Sequence, residues 1–162
     1  MKKLLAIIFI LTSFNAHSDI ILKYGMVASD EPDDTNFGGI WLEQSDCTSC
    51  LSIFGIELHN DKDLVSNRIA GIDFTYKALH RPDAGTIRLT FGYAMAEKAI
   101  NDSEQFNFHL GAALVGNHAI AKNVHWGLYW DHFSNGRRVL DRSHIPKNNP
   151  LDLVSMGITF EF

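Results

Sequence analysis

The sequence predicts an all-β protein, an eight-stranded antiparallel transmembrane β-barrel, on three observations. Apolar and polar residues alternate with a period of two, and the pattern is renewed roughly every 12 to 18 residues. The chain opens with a segment built like a secretory leader. Beyond that leader no apolar stretch reaches the roughly 20 residues that a spanning helix needs.

The leader is read first because it sets the compartment. Lys2 and Lys3 supply a positive start, Leu4 to Leu11 is an unbroken apolar run, and Ala16 and Ser18 are small residues spaced as at a signal-peptidase site. The expected division is a cleaved leader over 1–18 and a barrel over 19–162. Cleavage removes two lysines and no acid, so the formal charge of −5 becomes −7. With no basic cluster to offset it, that balance argues against a nucleic-acid partner. A hydrophobic content of 46% looks ordinary for a water-soluble chain, yet alternating barrel strands give the same value.

Eight segments carry the alternation. In 152–162, Val154, Met156, Ile158, Phe160 and Phe162 are apolar, and the residues between them are small or polar. Alternate side chains of a strand point to opposite faces, so this segment has one apolar wall and one polar wall. Residues 86–96 set Ile87, Leu89, Phe91, Tyr93 and Met95 against Thr86, Arg88, Thr90 and Gly92. Residues 70–78 set Ile72, Phe74 and Tyr76 against Gly71, Asp73, Thr75 and Lys77, and 106–114 set Phe106, Phe108 and Leu110 against Asn107, His109 and Gly111. The segment 123–134 repeats the pattern, while 20–28, 37–44 and 51–59 follow it less cleanly.

Periodicity alone does not say which wall faces inward. A soluble barrel would bury the apolar wall, and a membrane barrel would turn it to lipid. The leader, the strand lengths of about ten residues and the aromatic residues near strand ends favour the membrane. The polar set Lys23, Glu57, Asp73, Lys77 and Arg88 then pairs across a narrow lumen. The strand ending on Phe162 resembles the C-terminal signature of bacterial outer-membrane proteins. Export also places Cys47 and Cys50 in an oxidising compartment. In a turn between strands they read as a short-loop disulfide or as two idle thiols, and no further ligands are spaced for zinc. No cofactor and no metal is expected.

With eight strands both termini lie on the periplasmic side, so 123–134 rises outward, 135–150 forms the longest external loop, and 152–162 descends. Long loops on a rigid scaffold are where function concentrates. Extending the lipid-facing column of the last segment upward by one step gives Asp152. Extending Val124, Trp126, Leu128 and Trp130 gives His132 and then Ser134. The ten residues from Phe162 to Asp152 span about 25 Å of height at ~3.3 Å rise and ~40° tilt, which reaches the far interface.

Any one polar residue at a membrane rim is ordinary, since it costs only about 0–1 kcal/mol there. A nucleophile, a base and an acid on one outward patch are not ordinary. Residues i and i+2 lie roughly 6–7 Å apart on one face, and neighbouring strands about 4.8 Å apart. Ser134 can therefore serve as nucleophile, His132 as its base and Asp152 as the group that orients the ring. Asp131 and Asp141 are alternative acids, although Asp131 has lumen parity. His144 reads as a loop bystander.

The stretch from Trp130 to Phe162, with His132-Phe133-Ser134-Asn135-Gly136 and then Pro146-Lys147-Asn148-Asn149-Pro150, resembles the PagL-type lipid A 3-O-deacylase family. The likeness is specific over about thirty residues and only architectural before them. It implies an eight-stranded outer-membrane barrel that hydrolyses the ester-linked acyl chain at the 3 position of lipid A, with lipopolysaccharide and outer-membrane lipids as its partners. By position it assigns Ser134 as nucleophile and His132 as base. It gives Asn135, the Gly136 amide, Asn148 and Asn149 oxyanion or loop-shaping roles. Two departures stand out. Asp152 occupies the acid position where the family has Glu, and the loop carries Arg137, Arg138 and Arg142, which suit lipid A phosphates or simply a solvated surface. A non-enzymatic small barrel acting through its loops and a different outer-membrane lipid esterase are the rival expectations. A homodimer is compatible with the sequence, which does not set the oligomeric state.

Overall fold

The computed structural model describes residues 18–28, 35–45, 47–60, 67–81, 84–97, 106–116, 121–135 and 151–162. The expected leader lies outside them except for Ser18, which begins the first strand. Eight strands run β1 (Ser18–Val27), β2 (Thr35–Gln44), β3 (Ser49–Asn60), β4 (Asn67–Arg81), β5 (Gly85–Ala96), β6 (Phe106–Val115), β7 (Val124–Asn135) and β8 (Leu151–Phe160). Each pairs antiparallel with the next, and β1 returns onto β8 from Ile20↔Phe160 to Val27↔Leu153. The sheet is a closed barrel. Both described ends of the chain sit at one rim, called here the terminal rim; the opposite rim is distal.

The alternation resolves with the apolar wall outward. Tyr24, Phe74, Leu89, Met95, Leu128 and Met156 are between 47% and 67% exposed, and comparable residues on every strand but β3 complete a belt. Lys23, Asp73, Arg88, His109 and Asp131 are buried inside. A soluble barrel has the reverse arrangement. A belt of this size would be untenable in water, whereas lipid solvates it, so the barrel is of the transmembrane kind.

One expected lumen residue is misplaced. Glu57 lies on the outer wall, where it faces Arg68 across the β3–β4 pair at 3.6 Å. The cause is visible in β3 itself. Its inward residues Phe54, Ile56 and Leu58 are apolar, and so are its outward residues Leu51 and Ile53, so hydrophobicity does not mark the face. The strand β4 also runs further than expected, to Arg81, after a bulge between Lys77 and Leu79. A bulge adds one residue to one side of a ladder and re-aims the side chains beyond it. Here it puts Leu79 on the outer face, 47% exposed. The turn into β5 uses Gly85 at φ 146°, a backbone conformation that side chains rarely tolerate.

Side chains fill the middle and distal parts of the lumen, and near the terminal rim it opens into a polar cavity of about 360 Å³ lined by Asp19, Lys77, Arg88 and Glu161. Toward the distal rim Phe37, Ile56, Leu58, Ile69, Phe133 and Leu153 form an apolar layer. Below it lies a network that crosses the barrel. The Lys23 ammonium donates to both oxygens of Asp131 at 3.0 Å and sits over the Trp41 ring at 3.7 Å. His109 bridges Asp73 at 2.7 Å and Asp131 at 3.1 Å, and Trp41 Nε1 donates to Asp73 at 3.2 Å. Nearer the terminal rim Arg88 pairs with Glu43, and Tyr129 Oη meets Thr159 at 3.3 Å. The paired glycines Gly127 and Gly157 make room for the Tyr129 ring, because a Cβ on either would lie 2.7 Å from it. A disulfide joins Cys47, in the β2–β3 connection, to Cys50 at the start of β3.

Breaking a buried pair by removing one partner strands the other charge, at about 3–5 kcal/mol. Asp131→Leu is therefore expected to lower the unfolding free energy by that order, read as the urea midpoint of the barrel refolded in detergent micelles. Lys23→Met added to Asp131→Leu should recover a large part of the loss. Equal midpoints for the single and double variants would show that the stranded charge is not the cause.

Candidate active site

Strands β7 and β8 pair in a register that sets His132 directly opposite Asp152, and Trp130 opposite Val154. The even-numbered residues of both strands point outward. Trp126, Leu128 and Trp130 on β7, and Val154, Met156 and Ile158 on β8, are exposed, while Tyr129, Asp131, Phe133, Leu153 and Ser155 between them are buried. His132, Ser134 and Asp152 continue these outward columns at the distal end, each partly exposed.

His132 Nδ1 lies 2.9 Å from Asp152 Oδ1. An ionised carboxylate only accepts hydrogen bonds, so Nδ1 is the donor, and in the neutral ring that leaves the lone pair on Nε2. The nitrogen left over is the one a base uses. Ser134 stands two residues further along the same face. Among the described residues the His132 ring bonds to Asp152 and not to Ser134, so the hydroxyl and Nε2 share a face without touching. Catalytic hydrogen bonds are often long in an unliganded site.

The same carboxylate oxygen accepts a second donor. Trp130 Nε1 is 3.0 Å from Asp152 Oδ1, and the Trp130 ring lies 5.7 Å from the His132 ring at an interplanar angle of 31°. Sequence reasoning placed Trp130 only as a lipid-facing residue. The signal was its position, two before His132 in one column and across from the residue two after Asp152. Apolar side chains surround the cluster: Leu110 faces His132 and Phe108 faces Ser134 across the β6–β7 pair, with Val154 below. Phe108 packs against Tyr93 at 5.0 Å between ring centroids.

The lumen holds a second His–Asp set, and comparing the two isolates what is distinctive here. His109 and Asp73 are 0% exposed in their side chains, enclosed by aromatic rings and the Lys23 ammonium. His132 and Asp152 are 22% and 25% exposed on the outer wall. Only the outer set is open to a reactant. Asp131, an alternative acid from the sequence, is held inside by Lys23 and His109 and cannot reach His132.

The backbone of Asn135 closes β7, pairing with Asn107. Gly136, Arg137, Arg138, Asp141, Arg142, His144, Asn148 and Asn149 lie outside the described residues. Among the described residues no group of three or more His, Cys, Asp or Glu side chains is arranged to hold a metal ion. The hydrogen bond to Asp152 should hold His132 in one tautomer. Imidazole nitrogen shifts measured by NMR in micelles are expected to show protonated Nδ1 and bare Nε2 in the native chain. In Asp152→Asn the two tautomers should mix; an unchanged pattern in that variant would mean Asp152 does not orient the ring.

No known family model matches the chain, and no curated protein matches it. Among solved structures it is similar to the N-terminal β-barrel domain of OprF from Pseudomonas aeruginosa. The two are 15% identical and superpose with a TM-score of 0.61, over 90% of this chain and 97% of that one. At that identity the likeness is one of fold: the chain shares the barrel architecture of that domain.

Proposed function

We propose that the chain is a serine esterase of the bacterial outer membrane that removes an acyl chain from a lipid lying against its outer wall. The substrate we favour is lipid A, cut at the ester of its 3 position. One observation carries the reading: the 2.9 Å His132–Asp152 pair sits on the lipid-facing wall beside Ser134, at the end of the apolar belt. The leader-like start and the belt support the location, and the Trp130–Phe162 resemblance supports the substrate. With the termini periplasmic, the distal rim faces the outer leaflet.

The chemistry follows from the geometry. Ser134 Oγ attacks the ester carbonyl while His132 Nε2 takes its proton. Asp152 stabilises the imidazolium that forms. The imidazolium then protonates the departing sugar alkoxide, leaving an acyl-serine. Water attacks that ester with His132 again as base, and the fatty acid and free Ser134 are released. By the resemblance, Asn135 and the Gly136 amide would meet the oxyanion or shape the loop. Asn148 and Asn149 would shape the loop, and Arg137, Arg138 and Arg142 would meet the lipid phosphates. The packed lumen favours lateral arrival of the substrate, because its apolar layer leaves no through-path to the site. Leu110, Phe108 and Val154 offer the acyl chain an apolar surface next to the nucleophile.

Mass spectrometry of lipid A from cells expressing the protein tests this. Lipid A is expected to become lighter by one acyl chain, and Ser134→Ala should lower turnover by on the order of 10⁶-fold. An unchanged mass, or a fully active Ser134→Ala protein, would sink the reading. Release of fatty acid from labelled phospholipid but not from lipopolysaccharide would keep the esterase and reassign its substrate.

A further inference from the structure

The geometry points to Trp130 as a positioning residue that holds the Asp152 carboxylate in place for His132, an inference that rests on the esterase reading above. Two independent contacts converge. The indole N–H donates to Asp152 Oδ1 at 3.0 Å, the same oxygen that faces His132 Nδ1 at 2.9 Å. The indole ring also lies 5.7 Å from the imidazole.

Asp152 needs such help. It is the second residue of β8, with a side chain 25% exposed at the membrane rim, where a short carboxylate has several rotamers and water to choose from. Trp130 is anchored mid-strand on β7, and its bulk is held in the belt between Leu128 and His132. A rigid ring with one N–H is a low-entropy donor. Its bond selects the rotamer that presents Oδ1 to Nδ1. Within about 6 Å of a ring centroid a cation gains from the ring's negative face. The imidazolium formed when Ser134 loses its proton therefore meets both the carboxylate and the indole.

The lumen repeats the arrangement, with the Trp41 indole N–H donating to Asp73 at 3.2 Å and Asp73 meeting His109 at 2.7 Å, but there the imidazole and the carboxylate are fully buried.

Trp130→Phe removes the donor and keeps an aromatic ring in the belt. In folded protein, verified by its heat-modifiable migration on gels, kcat is expected to fall about tenfold with KM little changed. With Asp152 no longer held toward it, the imidazolium loses its partner, so the NMR titration midpoint of His132 should move downward and the acid limb of the pH–kcat profile with it. In an Asp152→Asn background the same substitution should cost less than about twofold, because there is no carboxylate left to position. A tenfold loss persisting in that background, or an unmoved His132 midpoint, would overturn the assignment and leave Trp130 a structural belt residue. One measurement needs no Trp130 variant: the indole N–H resonance should shift on Asp152→Asn, and a resonance that stays put rules the bond out. Native protein that releases no fatty acid removes the esterase reading, while these NMR outcomes still decide whether Trp130 holds Asp152.

Discussion

In a lipid environment a strand has no water to satisfy its N–H and C=O groups, and each one left bare costs several kcal/mol. Pairing of β1 with β8 is what removes the last open edge, with eight residue pairs from Ile20↔Phe160 to Val27↔Leu153. Everything else about the molecule depends on that closure. A closed sheet has an inside and an outside, so a period of two in the sequence becomes a lipid wall and a lumen wall. The register of each strand is then fixed, because a slip of one residue would exchange the two walls.

Eight strands enclose little space, and the interior is filled with side chains. Among the described residues its buried polar groups meet one another: Lys23 with Asp131, His109 with both Asp73 and Asp131, Arg88 with Glu43. Toward the distal rim the matching gives way to Phe37, Ile69, Phe133 and Leu153, which close the lumen with hydrocarbon. An interior filled in this way leaves the outer wall as the face on which polar side chains stay accessible. His132, Ser134 and Asp152 are on the outside for the same reason that Asp131, one residue away from His132, is not: adjacent residues of a strand belong to different solvents.

Much of this could be read from residues in order. The faces of 86–96 and 152–162 are set by strict alternation, and the structure keeps them. The opposition of His132 and Asp152 came from the same counting, because a short-range period decides both. What counting could not reach was of two kinds. Where both walls are apolar, as at Leu51–Leu58, the sequence carries no face label, and Glu57 was assigned to the wrong one. Contacts across the barrel, such as Lys23 to Asp131, join strands that are not paired with each other, so they depend on the curvature of the whole sheet. The Trp130 donor escaped for a third reason. An aromatic residue in a lipid-facing column is accounted for by its ring, and nothing in a sequence says where its one N–H points.

The crossing of the lumen by Lys23 and Asp131 also bears on how the chain enters the bilayer. The ammonium belongs to the first strand and the carboxylate to the seventh, 108 residues later. A sheet inserted one hairpin at a time would carry the lysine into hydrocarbon long before its counter-charge arrived. The uncompensated ion raises the energy of every partial insertion and of none but the partial ones. Such a chain favours passing from the water side to the membrane as a nearly complete cylinder, with its two outermost strands meeting as the charges do.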